Sequence, residues 1–385
     1  MTTHVIVGAG LAGAKAAQTL REEGFDGEIV LIGAESERPY ERPPLSKEYL
    51  QGRSEREKIF VHPSGWYAEH GVRLRLGLRA TGVDLDQHVV RLDDGSSQPY
   101  NKLLIATGAT PRRLPGPAHY LRTVGDSEAI RERFAAGGRV IVVGAGWIGL
   151  ESAAAARQAG CEVTILEPEP TPLHRALGPE LGDVFAALHR RHGVGLRLGT
   201  GVADITETGV RLSTGERLDA DVVVAGVGAV PETGLAREAG LEVGEGILTD
   251  ASLRTSHPDV FAAGDVAEAF HPLYGRRIRV EHWANALNGG PVAARAMLGQ
   301  DAVYDKIPYF YTDQYELGME FSGDITGYDE VVYRGSVEDL DFIAYWLRDR
   351  RVIAGMNVNR WDVVREIQDL IRSGAAIDPK ELSSD

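Results

Sequence analysis

Residues 5–13 read Val5-Ile6-Val7-Gly8-Ala9-Gly10-Leu11-Ala12-Gly13, and the phrase returns as Val140-Ile141-Val142-Val143-Gly144-Ala145-Gly146-Trp147-Ile148-Gly149. Each copy opens on a β-branched run of the kind found in a parallel strand buried on both faces. Each then passes through glycines into a helical run, Ala14 to Glu23 in the first and Leu150 to Gln158 in the second. A second apolar run follows each helix, Ile29 to Ile32 before Glu35 and Val163 to Leu166 before Glu167. These are two βαβ units. One such motif is weak in a chain of 46 glycines, where a plain tight turn explains it. Two, each set between strand and helix with an acid after the next strand, are strong.

The spacing carries a specific chemistry. Gly8 and Gly144 permit the tight turn, Gly10 and Gly146 let backbone approach a pyrophosphate, and Gly13 and Gly149 let helix pack on strand. The first helical residues, Leu11 and Ala12 or Trp147 and Ile148, bring N–H donors and the positive dipole end. The acid after the second strand selects the nucleotide, since a carboxylate accepts the ribose hydroxyls and repels a 2′-phosphate. Glu167 is followed by Pro168-Glu169-Pro170 with no adjacent Arg or Lys, which predicts NADH rather than NADPH. The alternative is a solvated surface glutamate.

Length and composition bound the rest. The chain has 385 residues, 43 % hydrophobic and 25 % charged, an ordinary balance for two or three domains. Its 41 Lys and Arg against 56 Asp and Glu leave a net charge of −15, which argues against a nucleic-acid partner. Cys161 is the only cysteine, so no internal disulfide forms. Met1-Thr2-Thr3-His4 runs straight into the first strand without an export signal, and no apolar stretch reaches membrane length. The expectation is a cytoplasmic protein.

Further buried strands are expected at Leu103 to Ile105 and Val222 to Val224, ending in Ala106-Thr107-Gly108 and Ala225-Gly226-Val227-Gly228. Beyond residue 306 aromatics become frequent. Strand signals at Phe342 to Leu347 and Val352 to Met356 flank a charged turn, Arg348 to Arg351. A short helix is expected from near Asn359, with Val363, Val364, Ile367, Leu370 and Ile371 on one face, and residues 381–385 are expected to fray.

Several stretches resemble the flavoprotein ferredoxin reductases that serve bacterial monooxygenases and dioxygenases, within the glutathione-reductase-like superfamily. They are Gly8 to Gly13, Arg38-Pro39-Tyr40-Glu41-Arg42-Pro43-Pro44-Leu45-Ser46-Lys47, Ala106 to Ala109, Tyr120 to Thr123, Thr255 to Asp265 and Pro308 to Tyr315. The resemblance runs from about residue 4 to residue 380. It implies an α/β chain with two Rossmann-like domains and a C-terminal α+β domain. The FAD domain would be residues 1–112 and 245–305, the inserted NAD domain residues 113–244, and the α+β interface domain residues 306–385.

By this resemblance the first glycine motif holds FAD and the second NAD. Asp265 would meet the ribityl or pyrophosphate region of FAD, and Arg42, Ala80, Arg122 and Trp283 match positions lining it. Ala106, Thr107, Gly108, Gly264 and Gly228 are further cofactor-binding candidates. Lys47 would sit beside the isoalloxazine ring and Glu151 would meet it from the NAD side. A lysine there favours negative charge on the ring, and a carboxylate orders the lysine. Without the motif, Lys47 reads as a surface lysine.

Three positions depart from the family pattern. Ala34 stands where an acid is common, so Glu35 is expected to supply the ribose carboxylate. Tyr311 stands where Trp is usual, and still offers an aromatic face. Gly289 stands where Gln is common. His282, just before Trp283, is a candidate near the flavin or a packed histidine. No histidine spacing suggests a metal site, and no nucleophile motif is present.

Cys161 lies between helix and strand of the second unit, so electrons must leave directly from the flavin edge. The implied activity is electron transfer from NADH through FAD to a ferredoxin-type iron–sulfur protein. A reductase of a quinone or monodehydroascorbate is one alternative, and an NADH-sensing interaction protein resembling apoptosis-inducing factor is another. An acidic ferredoxin would need local basic ground, for which Arg190-Arg191, Arg276-Arg277 with Arg279, and Arg348 with Arg350-Arg351 are candidates. The second group is preferred because it precedes Trp283.

Overall fold

A computed structural model describes residues 2–384. The chain divides into two compact units, one of residues 1–41, 57–110 and 230–308, the other of residues 42–56, 111–229 and 309–385.

The first unit is built on a five-stranded parallel sheet in the order Val260–Ala262, Lys102–Ile105, Thr3–Val7, Glu28–Gly33, Val72–Leu76. Alternation along the strands splits its side chains between two cores. Ile6, Leu31 and Leu104 pack with the helices Leu11–Glu22 and Trp283–Met297. Val5, Val7, Val30, Ile32, Leu103 and Ile105 pack on the other face with Val83, Val90 and Leu92 of a small antiparallel sheet. The continuous apolar runs thus have the expected cause, burial on both faces. The two helices cross closely at Gly290, where a Cβ would lie 2.3 Å from the Ala12 carbonyl oxygen.

The second unit repeats the plan with a four-stranded parallel sheet, ordered Gly195–Leu198, Glu162–Glu167, Arg139–Val143, Val222–Ala225. The helix Trp147–Gln158 follows its glycine turn. Both first helices start three residues earlier than the apolar pattern suggests, because Gly10 and Gly146 serve as N-caps.

The same unit carries a five-stranded antiparallel sheet, ordered Tyr309–Gln314, Leu317–Gly323, Arg351–Val358, Asp341–Arg348, Glu330–Ser336. Trp346 is fully buried, and its indole N–H donates to the Leu177 carbonyl at 3.1 Å. The last long helix runs Val364–Ser373 rather than from near Asn359. Asn359 (φ 52°) and Asp362 (φ 66°) are left-handed, so no right-handed helix can run through them. Residues 379–382 form a short helix capped by Asp378, with Leu382 buried, which corrects the expectation of fraying there. Asp385 lies outside the described residues.

Candidate functional site

The two glycine turns are built alike. Gly8 (φ 123°) would place a Cβ 2.0 Å from the Ala106 carbonyl oxygen, and Gly144 (φ 96°) one 2.5 Å from that of Gly226. Gly13 and Gly149 would each place a Cβ 2.0 Å from the carbonyl oxygen of the first glycine of its own turn. The middle glycines face open space instead. A Cβ at Gly10 meets nothing within 4 Å, and one at Gly146 meets only Gly226 O at 3.8 Å. Neither helix start has a side-chain cap, so the first-turn N–H groups are left for another acceptor. The packed first and third glycines and the open second one fit a bound pyrophosphate at each turn.

In the first unit, neighbouring strand ends close on the turn. The Ala106 amide donates to Val7 O at 2.7 Å, Thr107 Oγ1 donates to Glu232 O at 2.9 Å, and Gly108 has φ 71°. Gly264 (φ 78°) approaches Ala12, where an added Cβ would lie 3.3 Å from the alanine methyl. Asp265 follows in the short turn Gly264–Val266. Glu35 accepts the Tyr40 hydroxyl, while Ala34 beside it is exposed. Ala80 starts a strand at a register shift. His282 is the N-cap of helix Trp283–Met297. Burial raises the Glu41 carboxyl, an effect opposed by Lys15 and the Trp283 side chain. At Gly289 a Cβ would make only ordinary contacts of 3.7–3.8 Å, and nothing in the structure explains the glycine.

In the second unit, the turn Pro43–Ser46 delivers Lys47 to the interior. Arg42 donates to the Arg122 carbonyl. Arg122 stands just before a helix whose N-cap, Thr123, forms a capping box with Asp126. Ser127 Oγ donates to Leu45 O at 2.8 Å, fastening the turn to that helix.

Lys47 Nζ lies 2.7 Å from Glu151 Oε1, with the two side chains 9 % and 2 % exposed. Ser46 donates to Glu151 Oε2, and Thr312 Oγ1 donates to Oε1 at 2.6 Å. Lys47 Nζ is also 5.2 Å from the Tyr311 ring centre, a cation–π approach. A buried ion pair costs desolvation that its attraction only partly offsets, so stability alone is a poor reason for one. Buried, paired titratable groups are instead typical of working sites.

Glu167 is almost buried, and its Oε2 accepts the Ala145 amide at 2.6 Å while Oε1 accepts that of Glu169 at 2.9 Å. Arg175 binds Glu169 at 2.7 Å, so a base absent from the adjacent sequence stands close in space. Trp147 packs at 4.5 Å against Phe310, Ile148 is exposed, and Gly228 (φ 95°) lies three residues beyond the strand Val222–Ala225.

Sequence reasoning assigned no role to Ser46, Thr312 or Ala145, although the first two lie within the quoted stretches 38–47 and 308–315. A hydroxyl facing a distant carboxylate leaves no periodic signal. Cys161 is fully buried, its thiol 3.4 Å from Phe134 O. Among the described residues no group of three or more His, Cys, Asp or Glu could hold a metal ion.

The pyridine nucleotide-disulphide oxidoreductase family profile matches residues 2–290, and the Reductase C-terminal profile matches residues 309–385. The ferredoxin–NAD(+) reductase component of the anthranilate 1,2-dioxygenase system of Burkholderia cepacia is 41 % identical over 395 residues, covering 98 % of this chain and 96 % of that one. Putidaredoxin reductase of Pseudomonas putida is 37 % identical over 397 residues, covering 99 % and 94 %. Among solved structures, the covalent putidaredoxin reductase–putidaredoxin complex superposes with a TM-score of 0.95 at 36 % identity, covering 99 % of this chain and 95 % of that one. With both halves of the chain matched, it belongs to the pyridine nucleotide-disulphide oxidoreductase family, among its ferredoxin reductases.

Proposed function

We infer that the chain is an FAD-dependent NADH:ferredoxin oxidoreductase, whose partner is a ferredoxin-type iron–sulfur protein serving a monooxygenase or dioxygenase. The twin glycine turns carry this reading, because each leaves its middle glycine and helix N-terminus open to a pyrophosphate. These turns would hold FAD and NADH, and the bound flavin would supply two-electron uptake with one-electron release.

The residue assignments follow the family resemblance. Gly8, Gly10, Gly13, Leu11 and Ala12, with Glu35, Ala106 to Gly108, Gly264 and Asp265, would hold FAD. Arg42, Ala80, Arg122, His282 and Trp283 would line it. Gly144, Gly146, Trp147, Ile148, Gly149, Glu167 and Gly228 would hold NADH. Lys47 would supply positive charge at the isoalloxazine ring, Glu151 would hold that ammonium in place, and Tyr311 would offer an aromatic face. The single buried Cys161 supports direct electron exit without a dithiol. No helix among the described residues is long and apolar enough to cross a membrane, and we place the enzyme in the cytoplasm.

The test is twofold. Purified protein should release one FAD per chain on heating, and NADH should reduce cytochrome c rapidly only when a ferredoxin is added. A folded sample without FAD, or equal turnover with a quinone alone, would overturn the reading.

A further inference from the structure

Glu151 stands at the end of a buried polar chain that reaches a second helix. Thr312 Oγ1 is 2.6 Å from Glu151 Oε1, Gln314 Nε2 is 3.2 Å from Thr312 Oγ1, and His189 Nε2 is 2.9 Å from Gln314 Oε1. Strand alternation explains the placement: Thr312 and Gln314 point to the same side of Tyr309–Gln314, and Asp313 points away. Glu151, Thr312, Gln314 and His189 are all at most 2 % exposed, and their side chains meet one another directly.

The direction of every bond is determined. A carboxylate only accepts, so Thr312 must donate its one proton to Glu151. Its oxygen then accepts from the Gln314 amide, which leaves Gln314 Oε1 facing His189. His189 must therefore carry its proton on Nε2. Its Nδ1 is buried and has no partner among the described residues, as the bare nitrogen of that tautomer should be. Burial also draws the ring down to about 4, which keeps it neutral.

We propose that His189, Gln314 and Thr312 are positioning residues, a one-way chain of donors whose polarity is set by the charge on Glu151 and which holds that carboxylate against Lys47. If Glu151 carried a proton, the hydroxyl of Thr312 could turn to Gln314, the amide would reverse, and His189 would move its proton to Nδ1. The tautomer of a distant histidine thus reports the state of the glutamate. The inference rests on the proposed place of Glu151 and Lys47 beside the flavin ring, but its first readout does not depend on that assignment.

The experiment uses FAD-loaded protein with ¹⁵N-labelled histidine, His189→Gln identifying the signal. Wild type should show a protonated Nε2 and a bare Nδ1 at neutral pH, and Thr312→Val should lose that fixed tautomer. Stopped-flow reduction by NADH should slow about tenfold in Thr312→Val, the effect of one lost hydrogen bond to a charged group. The KM for NADH should change little, and Thr312→Ser should restore both readouts. A wild-type Nδ1–H tautomer, or an unchanged reduction rate in a folded Thr312→Val, overturns the proposal. Loss of rate without rescue by Ser also overturns it. Wild type that NADH cannot reduce would instead sink the functional assignment, leaving the tautomer result to stand.

Discussion

The Glu167 carboxylate is tied to the Ala145 amide inside the second glycine turn, at 2.6 Å. With Oε1 holding the Glu169 amide at 2.9 Å, one side chain shapes both the glycine turn and the segment after the strand. Each oxygen keeps a further lone pair for a ribose hydroxyl.

Replacing Glu167 by Arg should therefore do two things. It should weaken NADH binding by roughly ten- to a hundredfold, the cost of a lost charged hydrogen bond. It should also lower Tm, because two backbone amides lose their acceptor. Titration with NADH and NADPH, alongside thermal unfolding, separates these effects. A wild type that prefers NADPH would contradict the role of Glu167.

Lys47 and Glu151 should separate stability from chemistry. Removing one partner leaves a buried charge uncompensated and should cost about 3–5 kcal/mol of stability. The double variant Lys47→Met/Glu151→Leu should recover only part of that loss, since apolar replacements of similar volume are often tolerated but the Ser46 and Thr312 hydroxyls lose their acceptor. Reduction by NADH should remain slow in all three variants, and the flavin potential should become more negative in Lys47→Met. Stopped-flow rates at the wild-type level would reduce the pair to scaffolding.

Arg276 and Arg277 are both exposed on the strand Arg276–Arg279, and Arg277 lies across from the exposed Phe270. Arg279 instead turns to Glu281. Arg276 Nη1 donates to Arg277 O at 3.4 Å, and in the other basic clusters Arg191 pairs with Glu316 at 3.6 Å and Arg348 donates to Thr326 O at 3.4 Å. Charges on an edge strand also discourage strand pairing, which is the plainer explanation for them. If they dock the ferredoxin, Arg276→Glu with Arg277→Glu should slow ferredoxin-dependent turnover through association. The loss should shrink at high salt, with reduction by NADH unchanged. Undiminished turnover at low ionic strength would place docking elsewhere.

The parallel sheets and glycine turns were legible because their signals are local: β-branched runs, glycine spacing and a following acid. Helix starts were less so, since Gly10 and Gly146 begin their helices before the apolar period sets in. The hydroxyls that hold Glu151 were hidden for another reason. Ser46 and Thr312 meet Glu151 across more than a hundred residues of chain, and a single hydroxyl has no spacing to betray its target. Lys47 was picked out only by resemblance, because nothing in its local sequence distinguishes a buried lysine from a solvated one.

The bond from Trp346 to Leu177, together with that from Thr312 to Glu151, bears on how such enzymes diversify. A C-terminal sheet that served only to meet partners could be exchanged freely between relatives. Here its loss would strip a donor from Glu151 and leave the Leu177 carbonyl buried without its indole. Grafting another C-terminal domain at residue 308 would rewrite the surroundings of Glu151 even if the new surface docked the same ferredoxin. If Glu151 serves hydride transfer as proposed, an exchange of the C-terminal domain alters that chemistry along with any partner surface, and a new partner is reached more safely by changing surface residues than by changing domains.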